Sequence, residues 1–178
     1  MAERVVTEQE PQSLVDRIAF LPWGEWNGWA GRHFPMPSAG IQTVNCEEFV
    51  LFMMWLAGAG VPRLRSLELS RFPEAKRVSF EHASKGTLAF FEHGEGLHVA
   101  IFYGGNRRKE PLFLHSSRHS NPFLNRNGVM ISPLPLMLHW YPGECRLLVF
   151  PNTVSAHFQH IDRILSLHEQ KYETRYWQ

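Results

Sequence analysis

The sequence predicts an α+β fold in which a buried helix packs on an antiparallel β-sheet of five or six strands, with further helices at the flanks. Three observations lead there. The apolar run Phe49 to Ala57 follows a capping residue, Asn45, and precedes a stop residue, Gly58; a helix that is apolar on every side is a buried helix. Gly86 to Ser116 alternates strand-like runs with glycine-bearing turns, the pattern of a meander. Apolar residues at helical spacing stand near both ends of the chain. The 178 residues are expected to form one domain: an N-terminal helix and Trp-rich loop (1–40), a core (41–150) and a C-terminal helix (151–178).

Composition narrows the function classes. Hydrophobic residues make up 44% of the chain and charged residues 20%, ordinary for a globular protein. A formal net charge of +1 gives no reason to expect nucleic acid as a partner. The longest apolar run, Phe49 to Val61, is too short to cross a bilayer. Met1 to Glu10 has no basic region followed by an apolar stretch, so the expected location is cytoplasmic, or exported without a cleaved signal peptide. The two cysteines, Cys46 and Cys145, do not make a disulfide framework. Cys145 lies in an apolar, strand-like run and reads as a core residue.

Thr7 to Phe20 reads as the first helix. Thr7 and Glu10 fit a capping box, Pro11 suits the first turn, and Leu14, Val15, Ile18 and Leu21 make the apolar face. Pro22 to Gly40 reads as a loop carrying Trp23, Trp26 and Trp29. It is either a lid on the core or an aromatic wall of a substrate groove, and Trp26 and Trp29 are the substrate-binding candidates. In the central helix the Asn45 side chain can accept a first-turn N–H, and Glu47 and Glu48 suit the positive end of the dipole. Cys46 then sits at the helix tip, a position that lowers a thiol's pKa. The competing reading is a structural cysteine. Val61 to Ser84 is mixed: Leu64, Leu67 and Leu69 suggest a short element, and Arg63, Arg65, Arg71, Lys76 and Arg77 a solvated basic face.

Gly86 to Glu92, Leu97 to Tyr103 and Pro111 to Ser116 are expected as consecutive strands, joined by a turn at His93 to Gly96 and a basic tip at Asn106 to Glu110. Alternate residues share a face, so His98 goes with Ala100 and Phe102, and His115 goes with Phe113. The hairpin brings the start of one strand beside the end of the next, which makes His98 and His115 cross-strand neighbours. Ser117 to Asn127 reads as a polar loop. Val129 to Leu138, broken by Pro133 and Pro135, reads as a strand at an edge or bulge, and Glu144 to Phe150 as another. Val154 to Tyr172 is the closing helix, with Phe158, Ile161, Ile164, Leu165 and Leu167 apolar. Arg175 to Gln178 is expected to fray or pack loosely. His33, His82, His93, His119, His139, His157, His160 and His168 show no partner in the sequence and read as mostly surface residues.

A cysteine at a helix tip followed by two histidines on facing strands is the arrangement of papain-like thiol chemistry. At this point the sequence resembles the NlpC/P60 family of cysteine hydrolases. The residues that carry the resemblance are Asn45-Cys46-Glu47-Glu48-Phe49-Val50, then Gly86-Thr87-Leu88-Ala89-Phe90-Phe91, then His98-Val99-Ala100-Ile101-Phe102-Tyr103, and last Leu114-His115-Ser116-Ser117. They span roughly two fifths of the chain. Two features depart from the family pattern. Glu47-Glu48 replaces the usual Ser-Gly, and no tyrosine precedes Cys46. Asn45-Cys46-Glu47 is also similar to the cysteine motif of the lecithin retinol acyltransferase relatives, which carry the histidine before the cysteine.

The resemblance implies a papain-like NlpC/P60 fold and thiol-dependent cleavage of an amide bond, in peptidoglycan stem peptides, as an endopeptidase or amidase. Cys46 would be the nucleophile, His98 the general base and His115 the residue that orients it, with Asn121 as the alternative orienter. The backbone N–H of Cys46 would belong to the oxyanion site. No cofactor and no metal are expected, although Cys46, His98 and His115 also suit zinc as ligand types. An exported antibacterial effector fits these expectations, and an immunity or inhibitor protein would then be a partner. The alternatives are an acyltransferase or protein deamidase with the same triad, and a non-catalytic binding module.

Overall fold

The computed structural model describes residues 9–25, 42–62, 64–94, 96–172 and 177, with 9–13 as backbone only. The expectations for Thr7, Glu10, Trp26, Trp29, His33, Arg63, Arg175 and Tyr176 lie outside what is described. Helix α1 (Gln9–Ile18) comes first, then α2 (Cys46–Leu56) and α3 (Ser66–Leu69). Strands β1 (Lys76–Val78), β2 (Leu88–His93), β3 (Gly96–Gly105), β4 (Pro111–Asn121) and β5 (Arg126–Pro133) follow. Helix α4 (Leu134–Trp140), strand β6 (Cys145–Val149) and helix α5 (Gln159–Lys171) complete the chain. The α+β expectation holds. One six-stranded sheet runs β1-β6-β2-β3-β4-β5, and every neighbouring pair is antiparallel.

Helix α2 forms as its sequence dictates. The Asn45 Oδ1 accepts the Glu48 N–H at 2.8 Å, which satisfies one orphan donor of the first turn. At the other end Gly58 takes φ +67°, where only glycine is at ease. Gly58 N donates to Trp55 O and Ala59 N to Met54 O, a Schellman ending. Phe49 to Met54 are all buried, whereas Trp55 is exposed, so the helix is apolar all round but not covered all round.

The two sheet faces carry different cores. Val99, Ile101, Leu114 and Val129 meet α2, together with Val15 and Ile18 of α1 and Ile161 and Ile164 of α5. Ala89, Phe91, Ala100, Phe102 and Phe113 point the other way, toward Met137 of α4 and Tyr141. The strand alternation read from the sequence is therefore correct for β3 and β4.

Three expectations need correction. Ser117 to Asn127 is not a loop: β4 continues to Asn121, turns through 122–125 and enters β5. Val129 to Leu138 is a strand only as far as Pro133. Beyond it lies α4, with Pro133 as the N-cap and Pro135 in the first turn, where a missing N–H costs nothing. The edge placement itself was sound, because β5 is an edge strand. The C-terminal tail is not loose throughout. Trp177 is buried, and its carbonyl accepts from Asn106 Nδ2 at 3.0 Å. No helix among the described residues is long and apolar enough to cross a membrane.

Candidate active site

Cys46 is the first residue of α2, and the chain ahead of it is tied down on two sides. Val44 N donates to Pro22 O at 3.1 Å, and Ser116 Oγ of β4 donates to Val44 O at 2.6 Å. Leu21 O in turn accepts from Val129 N of β5 at 3.0 Å. Gly128 makes this approach possible: it has φ +100°, and a Cβ there would stand 2.1 Å from Leu21 O. Helix α2 and the sheet thus hold Cys46 against β3.

His98 lies near the start of β3 and His115 in β4. Both are buried, at 4% and 0% exposure. Their rings stand almost perpendicular, at 85°, and His98 Nε2 is 2.9 Å from His115 Nδ1. The far nitrogen of His115, Nε2, is 2.9 Å from Ser132 Oγ of β5. His98 therefore has Nδ1 left for other work. The ring of Tyr141 lies flat against the ring of His98. The Tyr141 hydroxyl is 2.7 Å from Ser117 Oγ, which ties this platform to β4.

A cavity of about 430 Å³ brings the chemistry together. Cys46, His98, Tyr141, Trp23, His93, Gly96, Leu97 and Arg118 line it. Cys46 keeps part of its surface open, yet the protein around it is dense. Burial pushes its thiol up to about 11, and the Glu47 carboxylate adds to the rise. The backbone N–H groups of Val99, Glu47 and Cys46 itself act the other way and are outweighed. The expectation of a depressed thiol pKa fails for that reason: the helix tip is present, but desolvation is larger. Burial also holds His98 well below the ordinary imidazole range and His115 at about 3, with His115 and the cationic neighbours adding to the effect on His98. At rest the cavity thus presents a thiol and the neutral ring of His98, with the neutral ring of His115 buried behind it.

Sequence reasoning and structure agree on bringing His98 and His115 together, and they share the site with Cys46. The alternative orienter, Asn121, is occupied elsewhere. Its Oδ1 accepts from Phe123 N at 2.8 Å and Leu124 N at 3.2 Å, making the turn between β4 and β5. The zinc reading fits the geometry poorly. The facing nitrogens of His98 and His115 are at hydrogen-bond distance and leave no room for an ion between them. Among the described residues no group of three or more His, Cys, Asp or Glu is arranged to hold a metal.

Several site residues escaped the sequence reading. His93 sits beside Tyr141, with ring centroids 5.0 Å apart, and His119 stacks on Trp140 at 5.7 Å. Neither is a plain surface residue, nor is His168 of α5, which is fully buried against Ala19 and Phe20. Tyr141 and Ser132 were also missed. The cluster His139-Trp140-Tyr141 was a usable signal for the first. For Ser132 the signal was its even spacing from Met130, which pairs with His115, but that pairing was hidden while 117–127 read as a loop.

A second cavity, of about 440 Å³, adjoins the first and shares Gly96 and Leu97 with it. Arg65, Arg71 and Arg146 line it, with Glu47 and Glu92. Arg65 pairs with Glu47, and Arg146 Nη2 with Glu92 Oε1 at 2.7 Å. The arginines outnumber the carboxylates, so this cavity is net cationic. Comparison of the chain with protein-family models and with curated proteins gives no match.

Proposed function

We propose that this protein is a cysteine hydrolase of NlpC/P60 type, with the papain-like fold of that family, which cleaves an amide bond through an acyl-enzyme. One observation carries the reading: the buried His98–His115 hydrogen bond, on a cavity that His98 shares with a cysteine at a helix tip. In this reading Cys46 Sγ attacks the amide carbon while His98 Nδ1 takes the thiol proton. The S–H bond breaks as the N–H bond forms, so no free thiolate is needed beforehand. The tetrahedral oxyanion is met by the first backbone N–H groups of α2, the same groups that face the sulfur at rest. His98 then gives its proton to the leaving amine, and water releases the acyl group by the same path in reverse. His115 holds the His98 ring by its Nε2.

For the substrate we propose a peptidoglycan stem peptide. The net cationic cavity beside the site supports this, because it suits an acidic substrate group next to the scissile amide. The test is to incubate the protein with purified murein sacculi and, separately, with a protein lysate, and to identify the products by mass. Cys46→Ala serves as the control. Muropeptides cut at an amide, with one water gained per bond, are the expected result. Deamidated or acylated protein in the lysate arm would move the assignment to the alternative chemistry of the same triad. No Cys46-dependent product in either arm would leave a binding module.

A further inference from the structure

We propose that Ser132 is a positioning residue that accepts the Nε2–H of His115, and that this direction of the hydrogen-bond chain leaves Nδ1 of His98 free to take a proton. The inference rests on the hydrolase reading, which chooses between the two hydrogen-bond directions that the geometry allows. A neutral imidazole has one N–H and one lone pair. The three groups form a chain: His98 Nε2 to His115 Nδ1 at 2.9 Å, and His115 Nε2 to Ser132 Oγ at 2.9 Å. All three residues are buried, so water does not substitute for any link.

Such a chain has two polarities. In one, His115 donates from Nε2 to Ser132, accepts at Nδ1 from His98 Nε2–H, and leaves His98 Nδ1 as a bare lone pair. In the other, Ser132 donates to His115, His115 donates to His98, and His98 Nδ1 carries the hydrogen. Only the first makes His98 a base toward Cys46. Ser132 is the end of the chain, and its hydroxyl can either accept or donate, so the geometry accommodates both directions. The strand pairing puts it there: Phe113 of β4 is opposite Ser132 of β5, which places Ser132 on the diagonal from His115 on the same sheet face. We assign the first polarity, because only it leaves a lone pair on His98 Nδ1 for the thiol proton. Ser132 accepts, both rings carry their hydrogen on Nε2, and no proton beyond the one from the thiol moves in the attack step.

The experiment reads the tautomers directly. Long-range nitrogen–proton correlation spectra of the full chain, labelled with ¹⁵N-histidine, distinguish a protonated ring nitrogen from a bare one at each site. His98→Ala and His115→Ala spectra assign the signals. At slightly alkaline pH the wild-type protein should show both His98 and His115 as Nε2–H. In Ser132→Ala the His115 Nε2–H loses its acceptor, and both rings should move toward Nδ1–H. Ser132→Thr keeps the hydroxyl and should restore the wild-type pattern. Turnover of whatever amide substrate the sacculus or lysate experiment yields should fall in Ser132→Ala at unchanged KM, by less than about 100-fold, since the base is misdirected rather than removed. It should recover in Ser132→Thr.

The proposal is overturned by wild-type rings that carry Nδ1–H, a result that needs no variant to fold. It is equally overturned if Ser132→Ala folds with its tautomers unchanged. Wild-type tautomers as assigned, moved by Ser132→Ala, in a protein that hydrolyses nothing would sink the hydrolase reading and leave the role of Ser132 intact.

Discussion

The ring of Tyr141 lies 4.0 Å from that of His98, centroid to centroid, with the two planes 8° from parallel. Stacking at this distance fixes the plane of His98, and the hydrogen bond to His115 fixes its rotation within that plane. Tyr141→Phe keeps the ring and loses only the hydroxyl contact with Ser117, so kcat should change by less than about 10-fold. Tyr141→Leu removes the flat support, and a misplaced catalytic ring costs on the order of 100-fold. Steady-state kinetics on both variants, with thermal melting to confirm folding, checks this. Equal losses in the two would mean that the hydroxyl matters and the stacking does not.

The nucleophile and base act as one unit. Cys46→Ala and His98→Ala should each abolish turnover, and the double variant should be no worse than the worse single one. His115→Ala should cost less than loss of His98. His115→Asn should recover part of that loss, because an amide oxygen can accept the His98 N–H. Additive losses for Cys46 and His98 would separate their jobs. A His115→Ala enzyme with full activity would remove that residue from the site.

Alkylation should report the resting thiol. With its pKa raised to about 11 by burial, Cys46 is a thiolate in about one molecule in ten thousand at neutral pH. Labelling by iodoacetamide, followed by peptide mass spectrometry, should therefore be slow at neutral pH and rise about tenfold per pH unit. Cys145, also pushed up, to about 12, is read separately on its own peptide. A labelling rate that is already flat near neutrality would mean a preformed thiolate, with His98 charged at rest.

His168 should make the fold acid-sensitive. Its Nε2 donates to Ala19 O at 2.6 Å, its Nδ1 is buried without a partner, and Arg126 and Lys171 face it with positive charge. Burial lowers its pKa from 6.5 to about 4. Above the higher value both states hold a neutral ring and the stability is complete. As pH falls toward the lower value the unfolded chain binds a proton that the fold refuses, so stability declines, by about 3 kcal/mol at most. Denaturant titrations between neutral and acid pH should show this decline, and His168→Gln, whose amide can still donate to Ala19 O, should make it shallower. An unchanged slope in the variant would place the acid sensitivity elsewhere.

What was legible in the sequence was local. Asn45, Cys46, Gly58 and the apolar run between them define α2 because capping and stopping a helix depend on neighbours in the chain. His98 and His115 could be paired because strand alternation and one hairpin suffice. Pro135 misled because an apolar run with prolines fits an edge strand as well as a first helical turn. Ser132, Tyr141 and the raised Cys46 thiol depend on what distant segments bring to one place, and the run of side chains along the chain does not encode that directly. Trp177 shows the same limit: its polar neighbours in sequence suggest exposure, while its burial is decided by the core it meets.

The place of β6 bears on how the protein is made. Strand β2 pairs with β3 on one side and β6 on the other, and Leu88 to Phe91 find the partners of their second side only when Cys145 to Leu148 arrive. A chain emerging from the ribosome has Cys46, His98, His115 and Ser132 all outside the tunnel while β2 still presents an open, apolar edge. Such an edge invites pairing with another nascent chain. Closing it is a long-range contact, and contacts of that kind form late. The residues of the site are thus synthesised before the sheet beneath them is closed, and the late arrival of β6 makes translation the stage at which this chain is most exposed to aggregation.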